Sequence, residues 1–152
     1  MEERVGRIVA MTGKVVREQF ERSLAAVDSS LNTYVVLRTV AAHPGLSQRQ
    51  LAASLSIEGP TLTHHLDRLS AEKLIVRVRD AGDRRVFRVA ITEAGEAHLA
   101  RADHHAAEFD EELRSLFTPT EVGTLRELLN RIRDRYAKEA DVNDAARQPI
   151  VR

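Results

Sequence analysis

Apolar residues recur every three or four positions over most of the chain, and this spacing predicts a mainly helical protein. The first such stretch covers residues 2–24. The second follows residues 28–30, whose side-chain oxygens suit a helix N-cap, and ends at 43–45, because proline and glycine do not continue a helix cheaply. These boundaries predict two successive amphipathic helices before the middle of the chain.

Two short helices separated by a brief break follow. Ser47 and Gln50 have the spacing of a capping box, in which each side chain satisfies a free backbone donor at the start of the helix. After the break at 56–59, Pro60 stands where the first turn of a helix tolerates proline, and the next helix is predicted over 60–72. Two short helices joined in this way predict a helix-turn-helix.

The helical period then gives way to alternation. Residues 75–79 and 86–91 are rich in β-branched side chains and alternate in polarity, which is typical of strands. Residues 80–83 supply the turn between them. A helix-turn-helix followed directly by a hairpin predicts a winged helix-turn-helix lobe in a fold that is mainly α with a small β wing.

Two long helices are predicted after the hairpin. Thr92 is placed to cap the first, while Thr118 and Glu121 form a second capping box around Pro119. The last helix has an apolar seam spaced like a short coiled coil, which predicts a dimer interface. This seam consists of Val122, Leu125, Leu129, Ile132 and Tyr136. From 141 to 152 no period remains, and we expect a disordered tail there.

Composition narrows the class of protein. The chain has 152 residues and no cysteine, so a disulfide framework and a thiolate zinc site are excluded. No apolar run approaches the roughly 18 residues that span a bilayer, and the N-terminus lacks the apolar core of a signal peptide. We therefore expect a cytoplasmic protein that has no membrane partner and needs no cofactor.

The charges are unevenly distributed although they balance overall. Lys and Arg total 23, as do Asp and Glu. Residues 73–88 carry six cations and two carboxylates, whereas 92–141 carry twelve acids and seven cations. A single basic region in an otherwise acidic chain is expected where one face meets an anionic polymer.

The helix over 60–72 has one face of leucines and an opposite face of small or hydrogen-bonding side chains, which suits the DNA major groove. The hairpin tip has adjacent arginines that suit the narrow minor groove, and Asp83 is predicted to hold one guanidinium. Side chains at the start of the preceding helix are predicted to contact phosphate. The predicted DNA contacts are Ser47, Gln48, Thr61, Thr63, His64, Arg68, Arg84 and Arg85.

These segments together resemble the MarR-type transcriptional regulators. The segments that carry the resemblance are 46–52 (Leu-Ser-Gln-Arg-Gln-Leu-Ala), 60–69 (Pro-Thr-Leu-Thr-His-His-Leu-Asp-Arg-Leu), 74–75 (Leu-Ile), 83–85 (Asp-Arg-Arg) and 89–95 (Val-Ala-Ile-Thr-Glu-Ala-Gly). The chain departs from the family at Lys73, where glycine is common, and at Val78, where a charged residue is common. The flanking helices match in number and amphipathicity rather than in motif.

The resemblance implies a homodimer that binds a pseudo-palindromic operator in duplex DNA. It divides the chain into an N-terminal dimerisation helix (1–28), a winged DNA-binding lobe (29–92), C-terminal dimerisation helices (93–140) and the tail (141–152). It further implies that Asp67 engages a wing arginine and organises the wing. Such regulators are commonly repressors released by phenolic or lipophilic ligands. The residues that we expect to line such a pocket are Phe20, Tyr34 and Phe109.

Three other classes of function remain open on the sequence. A metal-responsive regulator would use His98, His104 and His105, although the last two point apart on a helix. An enzyme is disfavoured because there is no glycine-rich phosphate loop, no His-Glu-x-x-His motif and no cysteine nucleophile. A winged-helix module that binds protein would keep the core leucines without needing Arg84 and Arg85.

Overall fold

The computed structural model describes residues 4–147, with side chains described as far as residue 136. This part of the chain is mainly helical and contains one two-stranded sheet, as the sequence predicts. In chain order the elements are α1 (Val5–Ala25), α2 (Leu31–Ala42), α3 (Gln48–Leu55), α4 (Gly59–Ala71), β1 (Ile75–Arg79), β2 (Phe87–Ile91), α5 (Glu93–Arg114) and α6 (Pro119–Arg147).

Helices α2, α3, α5 and α6 begin where the sequence supplies a capping side chain. Ser47 accepts a hydrogen bond from the Gln50 amide, and the Gln50 side chain accepts one from the Ser47 amide, which completes the predicted capping box of α3. Thr118 and Glu121 make the same reciprocal bonds before α6. Because such caps satisfy donors that a helix leaves unpaired, they fix the entry points of both helices.

Strands β1 and β2 form an antiparallel hairpin, the wing. Its register pairs Ile75 with Ile91 at the base and Arg79 with Phe87 near the tip. The predicted second strand was one residue too long, because Val86 belongs to the tip and its amide donates to the Asp83 carbonyl. The wing is also joined to the loop before α3, since the Val89 amide donates to the Leu46 carbonyl at 3.1 Å.

One hydrophobic core joins the helix-turn-helix to the base of the wing. Burial of these aliphatic side chains provides the main driving force for folding of the lobe. The fully or almost fully buried members of this core are Val36, Leu37, Val40, Leu51, Leu62, Leu66, Leu69, Ile75 and Val89.

The chain divides into two compact units within α5. One unit ends at Phe109, and the other begins at Asp110. The first therefore contains α1 to β2 and most of α5, and the second contains the end of α5 and α6. These two units are defined by how compactly the chain packs. The division into dimerisation and DNA-binding segments that the sequence predicts is a separate one and stays a prediction.

The C-terminal helix is longer than the sequence pattern predicts. We expected a tail from residue 141, but the helical backbone of α6 continues to Arg147. The stretch 137–147 contains neither glycine nor proline and has several alanines, so it favours a helix without an apolar stripe. The rest of the predicted tail, 148–152, lies outside the described residues. No helix within residues 4–147 is both long enough and apolar enough to cross a bilayer.

Candidate nucleic-acid interface

Helix α4 packs with its leucine face inward and leaves the opposite face in solvent. Leu62, Leu66 and Leu69 have no exposed surface. Thr61 and His64, both predicted DNA contacts, are exposed on the outer side. The amphipathic pattern therefore sets the rotation of α4 about its axis, and these two side chains are free to meet a ligand.

Two other predicted contacts hold the helix-turn-helix together. The Gln48 side-chain amide of α3 donates to the Thr63 hydroxyl of α4 at 2.7 Å, and that hydroxyl donates to the Gly59 carbonyl at 3.0 Å. A hydrogen bond across the turn fixes the two helices relative to each other. Gln48 and Thr63 are thus structurally engaged, which the sequence pattern did not indicate.

Arg68 lies on the exposed side of α4 but its guanidinium reaches towards α2. It donates to the hydroxyl of the buried Thr33 at 2.6 Å. Thr33 in turn receives a hydrogen bond from Ser30, the N-cap residue of α2. The structure therefore engages Arg68 in a link between two helices instead of leaving it free on the outer face.

Asp67 contacts the wing. Its carboxylate pairs with the guanidinium of Arg77 in β1 at 2.5 Å. The partner is a strand residue and not an arginine of the hairpin tip. This geometry agrees with the organising role that the resemblance implies for Asp67, and that role remains a prediction for binding experiments.

The hairpin tip presents two free arginines. Arg84 and Arg85 are exposed, and within residues 4–136 neither side chain has a hydrogen bond or ion pair. Asp83 was predicted to hold a guanidinium, but its carboxylate instead accepts the backbone amide of Arg85 at 3.0 Å. An aspartate whose side chain accepts the amide two residues later closes a turn, which is a common arrangement in loops.

Sequence reasoning missed a second carboxylate and its partner. One oxygen of Asp80 accepts the amides of Gly82 at 2.8 Å and Asp83 at 3.1 Å, and the other accepts from Arg88. Arg88 also donates to the Gly45 carbonyl at 2.5 Å. The hydrogen bond from Arg88, helped by the two backbone amides, lowers the pKa of Asp80. The sequence feature that could have indicated this pair is the position of Asp80 and Arg88 on opposite sides of the hairpin tip.

The residues predicted to line a ligand pocket lie together in an aromatic cluster. The Phe20 ring stacks on Phe109 with centroids 5.1 Å apart and meets Tyr34 edge-on at 5.8 Å. The Tyr34 hydroxyl donates to Asp103 at 2.9 Å, and Arg38 pairs with the same carboxylate at 2.5 Å. Burial, followed by the bond to Asp103, raises the pKa of Tyr34.

The three histidines considered for a metal site lie in different environments. His98 is buried, with 7% of its surface exposed, and burial lowers its pKa. His104 and His105 face the Glu108 carboxylate at 3.4 and 3.6 Å. Among the side chains that the structure describes, no three His, Asp or Glu groups converge as metal ligands.

The predicted dimer seam on α6 is only partly covered. Val122 and Leu125 are half-buried, whereas Leu129 and Tyr136 are 47% and 65% exposed. Ile132 also remains accessible. Apolar side chains in such number on one helix are expected to be covered by another surface.

The wing, the helix-turn-helix and the free arginines define a winged helix-turn-helix protein. Comparison with known proteins supports this class. A model described as MarR family matches residues 29–86. A proposed transcriptional regulatory protein for the hcr operon of Thauera aromatica is 30% identical over 115 residues, which cover 75% of this chain and 69% of that protein.

Solved structures give the same result. The transcriptional repressor CouR bound to a 23-mer DNA duplex superposes with a TM-score of 0.81 at 30% identity, covering 85% of this chain and 92% of CouR. CouR bound to p-coumaroyl-CoA gives a TM-score of 0.77 at 28% identity, covering 85% and 91%. The chain therefore belongs to the MarR family. Members of this family are transcriptional regulators and not enzymes.

Proposed function

We propose that this protein is a homodimeric repressor that binds a pseudo-palindromic operator in the cytoplasm and is released by a small aromatic ligand. One observation carries the DNA-binding part of the proposal: Arg84 and Arg85 are exposed, and have no partner among residues 4–136, at the tip of a wing whose base shares a core with α4. The helix and the tip are thus held in a fixed relation without using the charges of the tip.

The two elements suit adjacent grooves of one duplex. A major groove about 12 Å wide admits a helix, and the small exposed side chains of α4, Thr61 among them, allow close approach. The minor groove is narrower and has the stronger negative potential, which attracts an arginine on a thin loop. Ser47 at the start of α3 lies where backbone donors favour a phosphate.

Dimerisation is supported by apolar side chains that a single chain leaves exposed. They occur on α6 and also on α1, where Val5, Ile8, Met11 and Val15 are accessible. Two-fold symmetry would present two copies of α4, the proposed recognition helix, to half-sites about 10–10.5 bp apart. The symmetry of the protein would then require an approximately palindromic operator.

The effector part of the proposal is supported by the aromatic cluster. CouR, which resembles this chain, has been solved with p-coumaroyl-CoA. The rings of Phe20, Tyr34 and Phe109 offer aromatic surfaces, and the guanidinium of Arg38, which pairs with Asp103, lies beside Tyr34. We expect a phenolic or other aromatic compound to bind there and lower operator affinity. Titration of phenolic acids and their thioesters into the operator complex tests this, and retention of the complex throughout would refute release by such ligands.

DNA binding is tested by replacing the tip arginines. Arg84→Ala with Arg85→Ala is expected to lower DNA affinity by about 2–4 kcal/mol and to reduce the dependence of log K on log salt by about 1–2, because fewer counterions are released from the DNA for each phosphate contact that is lost. Affinity is measured by fluorescence anisotropy over a salt series, on operator fragments recovered from genomic DNA.

The matched control removes the same charge away from the wing. Arg22→Ala with Arg131→Ala replaces two exposed arginines of α1 and α6 and is expected to leave the salt dependence nearly unchanged. If the wing and control variants bind alike, the wing takes no part in DNA binding. If the parent protein binds no genomic fragment at modest salt, the alternative of a protein-binding winged module is favoured.

A further inference from the structure

We propose that Asp80 and Arg88 are positioning residues that hold the wing tip at a fixed angle to the helix-turn-helix, so that a carboxylate strengthens the binding of this protein to DNA. The inference rests on the proposed DNA-binding function. The sequence motifs do not single out these two residues. If they act as proposed, removal of the Asp80 charge weakens DNA binding, whereas repulsion between carboxylate and phosphate alone would predict tighter binding.

Asp80 shapes the tip from inside the turn. One of its oxygens accepts the amides of Gly82 and Asp83, which precede the free arginines directly. Its side chain is 18% exposed, less than that of its partner Arg88 at 48%. A carboxylate that accepts two consecutive amides restrains the backbone of the loop, because both bonds must break for the tip to reorient.

Arg88 joins this turn to the rest of the lobe. Its Nε donates to the second oxygen of Asp80, and another guanidinium nitrogen donates to the Gly45 carbonyl at 2.5 Å. Gly45 has φ +85°, a conformation that favours glycine, and it lies two residues before Ser47, the N-cap of α3. The backbone of Ser47 is also bridged to Arg88. A continuous path therefore links the tip amides to the start of the helix-turn-helix.

The charge of Asp80 is unfavourable for phosphate binding unless it acts through geometry. A carboxylate near the contact face repels the DNA backbone, and its pairing with Arg88 removes one cation from direct contact. Removing this negative charge should therefore improve DNA binding if Asp80 is a bystander. It should weaken binding if the carboxylate holds the tip in place.

The decisive experiment is the DNA affinity of Asp80→Asn in the full chain, measured by anisotropy over a salt series. We expect affinity to fall by about 5- to 20-fold, since an amide cannot reproduce the charge-assisted bond to Arg88. The matched control is Glu58→Gln, which removes an exposed carboxylate at the start of α4 that makes no capping bond. That variant is expected to bind DNA equally or slightly more tightly.

A second variant separates positioning from direct phosphate contact. Arg88→Lys keeps the positive charge but lacks the planar fork that reaches Asp80 and Gly45 together. We expect weaker binding with an unchanged salt slope. In the background of Arg84→Ala with Arg85→Ala, the same change should cost much less, because there is no tip charge left to position.

The outcomes are distinguishable. Tighter binding by Asp80→Asn, or an equal loss from Arg88→Lys with and without the tip arginines, would overturn the inference while leaving the proposed function intact. Failure of the parent protein to bind DNA would instead refute the proposed function. Thermal unfolding of each variant is measured alongside, and a loss of affinity in a variant that still unfolds at the parent temperature supports positioning.

Discussion

At the scale of single residues, Gly95 shows why the motif Ile-Thr-x-x-Gly occurs at the junction of wing and helix. A Cβ at position 95 would lie 2.0 Å from the Leu74 carbonyl oxygen and 2.7 Å from a side-chain carbon of Ile91. The first atom belongs to the backbone and cannot move without shifting β1. Glycine is therefore required for close packing here, although it is a poor helix former.

Gly95→Ala is expected to reduce the free energy of unfolding by about 2–4 kcal/mol, because overpacking against backbone outweighs the gain of about 1 kcal/mol in helix propensity. The control is Gly13→Ala in α1, where an added Cβ meets nothing within 4 Å and stability should rise. Urea unfolding followed by circular dichroism measures both. Equal stabilisation by the two substitutions would show that α5 does not pack this closely against Leu74 and Ile91.

His98 is expected to make the stability of the protein depend on pH. Burial, and then the charge of Arg101, lowers its pKa below the ordinary value of 6.5, while Glu72 and Asp28 oppose the shift. Its Nε2 is buried without a hydrogen-bond partner among the described residues. The folded state therefore favours the neutral ring, and unfolding takes up a proton when the pH lies below the ordinary pKa.

Stability is expected to be full above about pH 7 and to fall as the pH decreases through 6.5 towards the lowered pKa, with a slope of up to about 1.4 kcal/mol per pH unit from this group. His98→Gln should flatten this part of the profile, whereas His104→Gln, an exposed histidine of the same helix, should not. Chemical unfolding between pH 5 and 8 measures the difference. Parallel profiles for parent and His98→Gln would contradict the assignment.

At the scale of elements, the start of a helix is determined by residues close to it in sequence. Thr92 accepts the Gly95 amide at 3.0 Å and donates to the Lys73 carbonyl at 2.7 Å, so it caps α5 and ties it to the α4–β1 turn. Thr92→Ala is expected to destabilise the protein by about 1–2 kcal/mol, and Thr92→Ser should retain most of the stability. Thermal unfolding measures both variants. If serine is as damaging as alanine, the methyl group and not the hydroxyl is important.

Short-range chemistry explains which elements were predictable. The capping boxes of α3 and α6 and the alternation of the strands use residues at most a few positions apart, and the sequence alone predicted them. The predicted end of α6 was wrong, because a segment that favours a helix but has no apolar stripe gives no periodic signal in the sequence. Lys73 stands where the family commonly has glycine. Its φ of +60° is in the left-handed region, which glycine adopts more easily than other residues.

The pairing of side chains within the site was less predictable because it depends on register and on distant elements. Asp80 and Asp83 look alike in sequence, yet only Asp80 pairs with an arginine, because the antiparallel register brings Arg88 close to it. The bond from Arg68 to Thr33 joins residues 35 positions apart. No local spacing rule contains this information, so the sequence indicated which side of α4 is exposed but not which of its side chains are engaged by other helices.

At the scale of the whole molecule, positive and negative charges are equal in number but unevenly distributed along the chain. The wing region is basic, and the residues after it are acidic. Phosphate then attracts one region and repels the other, which favours a single orientation on DNA. Operator binding by a protein of this kind is expected to weaken steeply with salt.

The proposed homodimer can be tested through the apolar seam of α6. Leu129 and Ile132 lie on the exposed seam of α6, and a second copy of the chain is the partner expected to cover them. Leu129→Asp places an unpaired charge in this seam, so the dimer should dissociate at concentrations where the parent remains dimeric. Sedimentation velocity measures the change.

The matched substitution is Arg131→Asp, which introduces an acid on the same helix away from the seam and should sediment as the parent does. The monomer of Leu129→Asp would present one wing and one recognition helix, so it should lose affinity for a two-half-site operator much more than for a single half-site. This difference connects the apolar seam to DNA recognition. A Leu129→Asp variant that remains dimeric would show that this seam is not the dimer interface and would leave the dimer to another surface, for which the exposed residues of α1 are the next candidate.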